Sequence, residues 1–162
     1  MIEIIIAISS VIFAAITTIF GLYQYHTQIK QKRAEYFIEM RHKLKDTEPF
    51  KKICELIFVD GEKLKQVPPQ DKRDFLGFLE EVALMLNSGL IDKKVAHYMF
   101  GNYAIKCWKS ENFWLGPDSK EQIVRSGRYW SLFRNFKDEM EELEKAQDFG
   151  SGSADYTSQL KF

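Results

Sequence analysis

The chain has 162 residues, room for one domain of ordinary size, and its 23 Lys+Arg exactly offset its 23 Asp+Glu. Zero net charge leaves no global basic surplus of the kind that draws nucleic acid. Its two cysteines, Cys54 and Cys107, have no CxxC or Cys/His ligand spacing around them and read as reduced thiols.

The averages hide an asymmetry at the start. From Ile4 to Tyr25 there are 22 residues without a formal charge, which as a helix would span roughly 30 Å of hydrocarbon. The stretch reads as a transmembrane helix over residues 1–25. Lys30, Lys32 and Arg33 follow it, and by the positive-inside rule they place the N-terminus outside and the following domain in the cytoplasm. These three also suit contact with anionic headgroups at the membrane surface. Tyr23 and Tyr25 fit an aromatic belt, with Phe20, Leu22 and Ile12 facing lipid. A cleaved signal peptide would want a basic start and a small-residue exit, and neither is present. The expected location is a bacterial inner membrane, crossed once.

One seam of this helix is small and polar. At alternating steps of four and three it meets Glu3, Ala7, Ser10, Ala14, Thr17, Gly21, Gln24, Gln28, Gln31 and Glu35. Spacing of this kind is the seam period of left-handed helix packing, and small residues allow helices to approach closely in lipid. Self-association into a homo-oligomer is the first implication. Four successive polar residues from Gln24 to Glu35 would be poorly satisfied in a dry dimer core. A ring whose seam faces water avoids that cost, with Glu3 as an acidic ring at the outer mouth. The expectation is a pore lined by these ten residues. A closed oligomer and a monomeric anchor for a protein-binding scaffold are the alternatives.

Residues 26–48 continue as a juxtamembrane helix through Ile29, Tyr36, Phe37, Met40 and Leu44, and residues 49–149 read as a cytosolic helical domain. Pro49 favours a new helical start, and Asp60-Gly61 marks a turn. After Pro68-Pro69 a helix presents Phe75, Leu76, Phe78, Leu79, Val82 and Leu86, then closes at Asn87-Ser88-Gly89 with Gly89 suited to the C′ position. Asp92 can cap a helix carrying Val95, Tyr98, Met99, Ala104, Ile105 and Trp108. "WLGPDS" interrupts, and a last helix is expected from about Lys120 to Ala146, kinked near Gly127. No period-2 pattern competes, so the fold class is all-α. The tail 150–162, "GSGSADYTSQLKF" with its leading Gly, has the composition of a flexible appended linker.

The search for chemistry is negative. His26, His42 and His97 have no catalytic partner at diagnostic spacing, and no Walker loop, GxGxxG, HExxH or GxSxG occurs. Small helical ribonucleases of the HEPN type carry Arg, four to six residues, then His. Arg125, Arg128 and Arg134 fall in the expected last helix, but no histidine follows His97. No catalytic residue, metal or cofactor is assigned, and an enzyme is not expected. Lys30, Lys32, Arg33, Arg41, Lys43 and Lys45 suit headgroups better than RNA in this position. Phe113, Trp114, Tyr129 and Trp130 suit core packing better than base stacking.

"IFGLYQYHTQIKQKRAEYF", "FLGFLEEVALMLNSGLIDKKVAHYMFGNYAIKCW" and "RYWSLFRNFKDEM" together resemble small bacterial single-span membrane proteins with a helical cytosolic domain of unknown function. In size and layout the chain also resembles the membrane accessory protein of type VI CRISPR loci. That resemblance implies an oligomeric pore with a divergent HEPN-like domain. It also implies an antiviral role beside an RNA-guided nuclease or another defence-system protein. The absence of the Arg…His motif leaves a divergent HEPN-like ribonuclease as the weakest of the alternatives.

Overall fold

The computed structural model describes the backbone of residues 2–118, 122–125 and 128–148, with side chains over the same ranges except 2–11, 26, 30 and 147–148. Among the described residues every regular element is helical, so the fold is all-α. Seven α-helices follow in chain order: α1 (Ile2–Asp46), α2 (Glu48–Ile57), α3 (Pro69–Asn87), α4 (Lys93–Ala96), α5 (Asn102–Lys109), α6 (Glu111–Trp114) and α7 (Ser131–Asp148). A 3-10 turn, Glu62–Leu64, precedes α3, and a π turn, His97–Gly101, joins α4 to α5. The chain divides into two compact units between Tyr36 and Phe37.

The first unit consists of α1 up to Tyr36. Among the described residues no helix is long and apolar enough to cross a membrane. In α1 the apolar run gives way to polar and charged side chains around and after Tyr25, with Gln24, Gln28, Lys32 and Arg33. This overturns the single-pass inner-membrane location, with its outside N-terminus and cytoplasmic domain. The membrane and pore readings built on that location fall with it. The side chains of residues 1–11 of the expected span lie outside the described residues.

The second unit is a helical bundle, and its sequence explains most of its turns. Thr47 ends α1 and Pro49 sits in the first turn of α2, where its missing N–H costs nothing. Phe50, Ile53 and Ile57 form the buried stripe of α2. Asp60 adopts a left-handed φ of 45°, a conformation that Asp tolerates better than most residues. It is held there from across the fold, because Ser110 Oγ donates to its carboxylate at 2.5 Å and Asn112 Nδ2 to its carbonyl at 2.6 Å.

The centre of the core is α3, with Phe75, Leu76, Phe78, Leu79 and Val82 buried. Aromatic edges tie its neighbours to it. Phe50 meets Phe75 at 5.4 Å between ring centres, Phe78 meets Phe100 at 5.9 Å, and Phe75 meets Phe113 at 6.2 Å. Such pairs add to the burial energy of the rings. At the end of α3, Leu90 N donates to Met85 O at 2.9 Å and Gly89 N to Leu86 O at 3.0 Å. With Gly89 at φ 68°, this is a Schellman closure. Asp92 then accepts from Lys94 N at 2.8 Å and Val95 N at 3.4 Å, capping α4.

Two expected helices differ in the structure. The run from Lys93 to Lys109 is widened by the π turn at His97–Gly101. Gly101 faces α7 there, and a Cβ on it would lie 3.0 Å from His97 Cδ2 and 3.4 Å from Met140 Sδ. The last helix begins at Ser131, eleven residues later than the expected Lys120. Residues 122–125 are not helical: Ile123 is buried and its N–H donates to Trp114 O at 2.9 Å. That placement spends the local apolar residue and its amide on tertiary packing. Trp130, with φ 60°, then breaks the chain before α7. Arg125 and Arg128 therefore stand outside the last helix, and only Arg134 lies in it. Lys120, Gly127 and the tail 150–162 lie outside the described residues.

Candidate functional site

On α1 the described surface is unusual for a helix in a single chain. Ile12, Phe13, Ile16, Ile19, Phe20, Leu22, Tyr23 and Tyr25 are all exposed. Large contiguous apolar surface of this kind marks interaction sites. Ile16, Ile19, Phe20 and Tyr23 enclose a shallow hollow of about 290 Å³. Phe20, Tyr23, Gln24, Thr27 and Gln28 enclose another of about 360 Å³.

The residues expected to line a path sit on the same helix. Ala14, Thr17, Gly21, Gln24, Gln28, Gln31 and Glu35 are exposed, as are Lys32 and Arg33. The side chains of Glu3, Ala7, Ser10 and Lys30 lie outside the described residues. Thr17 Oγ1 donates back to the carbonyls of Phe13 and Ala14, each at 3.0 Å. Thr18 and Thr27 do the same to Ala14 O at 2.8 Å and Tyr23 O at 3.0 Å. These hydroxyls spend their protons on their own helix. Gly21 has open space where a Cβ would stand.

The second unit has one concavity of interest. Leu44, Lys45, Lys51, Cys54, Phe58 and Tyr103 line an open groove of about 410 Å³, with Glu55 at its side. Its apolar wall includes Phe58 and Tyr103, edge to face at 5.5 Å. Burial, with a contribution from the Glu55 charge, pushes the Cys54 thiol up to about 12. At neutral pH it is therefore a thiol and a poor nucleophile. Cys107 is fully buried and raised well above its ordinary value for the same primary reason. Both cysteines are free.

Sequence reasoning missed three polar devices. Lys72 is wholly buried and donates to Leu115 O at 2.7 Å. Trp108 and Trp114 meet at 80° with ring centres 5.4 Å apart, and the Arg125 guanidinium lies 4.7 Å from the first ring and 5.6 Å from the second. Lys137, buried on α7, pairs with Asp138 and with Glu141, which also takes Lys109 at 2.9 Å. Lys72 and Arg125 had no sequence signal, since their partners come from distant segments, whereas Lys137 and Glu141 have the local i,i+4 spacing of a helix pair and only Lys109 joins them from another helix. His42 pairs with Asp46 on the surface at 2.8 Å. His97 lies half-buried on the π turn, its pKa lowered chiefly by burial. No group of His, Cys, Asp and Glu among the described residues is arranged to hold a metal ion.

No curated protein and no solved structure matches the chain. One family model does, over residues 4–115, which takes in α1, the groove and the core helices through α6. That match covers most of the chain. The protein belongs to the DUF4760 family, described as a domain of unknown function.

Proposed function

We propose that this chain is a self-associating helical scaffold, in which α1 joins copies and the second unit offers a groove to a partner protein. The observation that carries the reading is the surface of α1. Eight large apolar side chains between Ile12 and Tyr25 are exposed on this one helix. Exposing so much apolar area to water is unfavourable by about 25 cal/mol per Å², and another protein surface can take it up.

The groove supports the second half of the reading. It joins an apolar wall to two lysines, which suits an apolar peptide segment flanked by acidic residues. The protonated state of the Cys54 thiol at neutral pH argues for binding rather than nucleophilic chemistry there. Sedimentation of the purified full chain over a hundredfold range of concentration tests the association. A mass that rises to a defined multiple of the 19.0 kDa chain is expected, and a monomer throughout would overturn the proposal.

A further inference from the structure

Which face of α1 meets the next copy can be read from its side chains. We infer that two copies pack through Phe13, Ile16, Phe20 and Tyr23, as knobs seated in holes, while the small and polar seam faces solvent. The inference rests on the self-association proposed above and goes further by assigning the face. The four residues are spaced by three, four and three, the alternation of a and d positions in a left-handed helix pair.

The hollows on the helix fit the same register. A knob from a facing helix sits in a hole made by residues i, i+3, i+4 and i+7. Ile16, Ile19, Phe20 and Tyr23 have that spacing and enclose one hollow. Phe20, Tyr23, Gln24 and Thr27 have it again and enclose the next, with Gln28 beside them. Consecutive holes therefore lie along the same line as the proposed knobs.

A second copy of this chain is the occupant that fits. The residues that would be knobs also build the holes, so the surface is complementary to itself, as a two-fold interface requires. No formal charge occurs from Ile12 to Tyr25, so two copies meet without like-charge repulsion. Phe13, Ile16, Ile19, Phe20 and Tyr23 are 69%, 59%, 68%, 60% and 70% exposed. With Ile12 they present on the order of 800 Å², about one partner's share of a standard interface.

The same register accounts for the other side of the helix. Thr17, Gln24 and Gln31 fall on its flank, and Ala14, Gly21, Gln28 and Glu35 on its outer side. Small and polar residues at those positions remain hydrated in the pair. The glutamines and Glu35 need no buried partner, which removes the desolvation cost that a dry core would impose on them.

Cysteine cross-linking of the full chain tests the face. Cys54→Ala provides the background, since Cys107 is fully buried. In it, Phe20→Cys and Gly21→Cys place a thiol on adjacent residues of opposite assignment, and Ile16→Cys repeats the first if loss of the Phe20 ring weakens packing. Under mild oxidation with copper phenanthroline, Ile16→Cys or Phe20→Cys should form covalent dimer at least tenfold faster than Gly21→Cys. Equal rates, or a faster Gly21→Cys, would overturn the assignment of the face. A wild-type chain that sediments as a multimer while neither stripe variant cross-links would overturn it as well. A monomeric wild type is the different result that removes self-association itself.

Discussion

Lys72 reaches from α3 to the end of α6, where its Nζ donates to the Leu115 carbonyl at 2.7 Å; a second carbonyl, that of Asn112, lies at 3.5 Å. The side chain is completely buried, and burial lowers its pKa from 10.5 to about 8. Between those two values the unfolded chain keeps a proton that the folded chain has released. Stability from this group therefore rises as pH climbs from about 8 to 10.5. Cys54 acts in the opposite sense above pH 9, because its folded pKa is raised to about 12. Urea unfolding of wild type and Lys72→Met at several pH values isolates the lysine. The stability of wild type relative to the variant should increase with pH across that window, and a constant difference would show that Lys72 does not titrate there.

Leu79 is fully buried in α3. Leu79→Ala should cost about 2–5 kcal/mol, the range for deleting a fully buried leucine whose cavity closes only in part. Chemical unfolding measures this directly. A loss below about 1 kcal/mol would mean that the site relaxes far more than its packing implies.

Gly89 closes α3 at φ 68°. Its difficulty for other residues is the backbone and not space, because a Cβ there would meet nothing within 4 Å. Gly89→Ala should therefore destabilise the fold by about 1–2 kcal/mol. Gly89→Asn, which tolerates the left-handed region, should lose less. Equal losses for the two would point to a cause other than backbone conformation.

Gly101 presents the reverse case. It ends the π turn with ordinary right-handed φ and ψ of −57° and −48°, but an added Cβ would meet the His97 ring at 3.0 Å and Met140 Sδ at 3.4 Å. Gly101→Ala should lower the unfolding midpoint, and Met140→Ala in the same chain should relieve part of that crowding against α7, so that the double variant loses less than the sum of the two. Thermal unfolding of the single and double variants gives the coupling, and strict additivity would contradict the contact.

How far the fold can be read from the sequence depends on whether a signal is local. Gly89, Asp92 and the Asp60-Gly61 turn act through their own neighbourhoods, and their roles follow from residue type and position. The start of α7 does not, because Ile123 is drawn into the core and Trp130 into a left-handed turn by contacts made elsewhere. Periodicity alone carried the expected helix through both. Lys72 and Arg125 were invisible for the same reason. On α1 the sequence gives a helix but not its environment. Ile12, Phe20 and Leu22 read as lipid-facing when a span is assumed, and the small seam then takes the role of interface. Without a helix among the described residues long and apolar enough to cross a membrane, the 3–4 spacing of Phe13, Ile16, Phe20 and Tyr23 becomes the more informative pattern.

The central claim is that α1 joins copies of this chain through an apolar face. Its most direct test compares the solution mass of the full chain with that of Ile16→Glu/Phe20→Glu, at matched concentrations. A defined multimer is expected for wild type and a monomer for the variant, with the unfolding midpoint of the second unit unchanged. A wild-type monomer at every concentration, or a variant that assembles as readily as wild type, would contradict it.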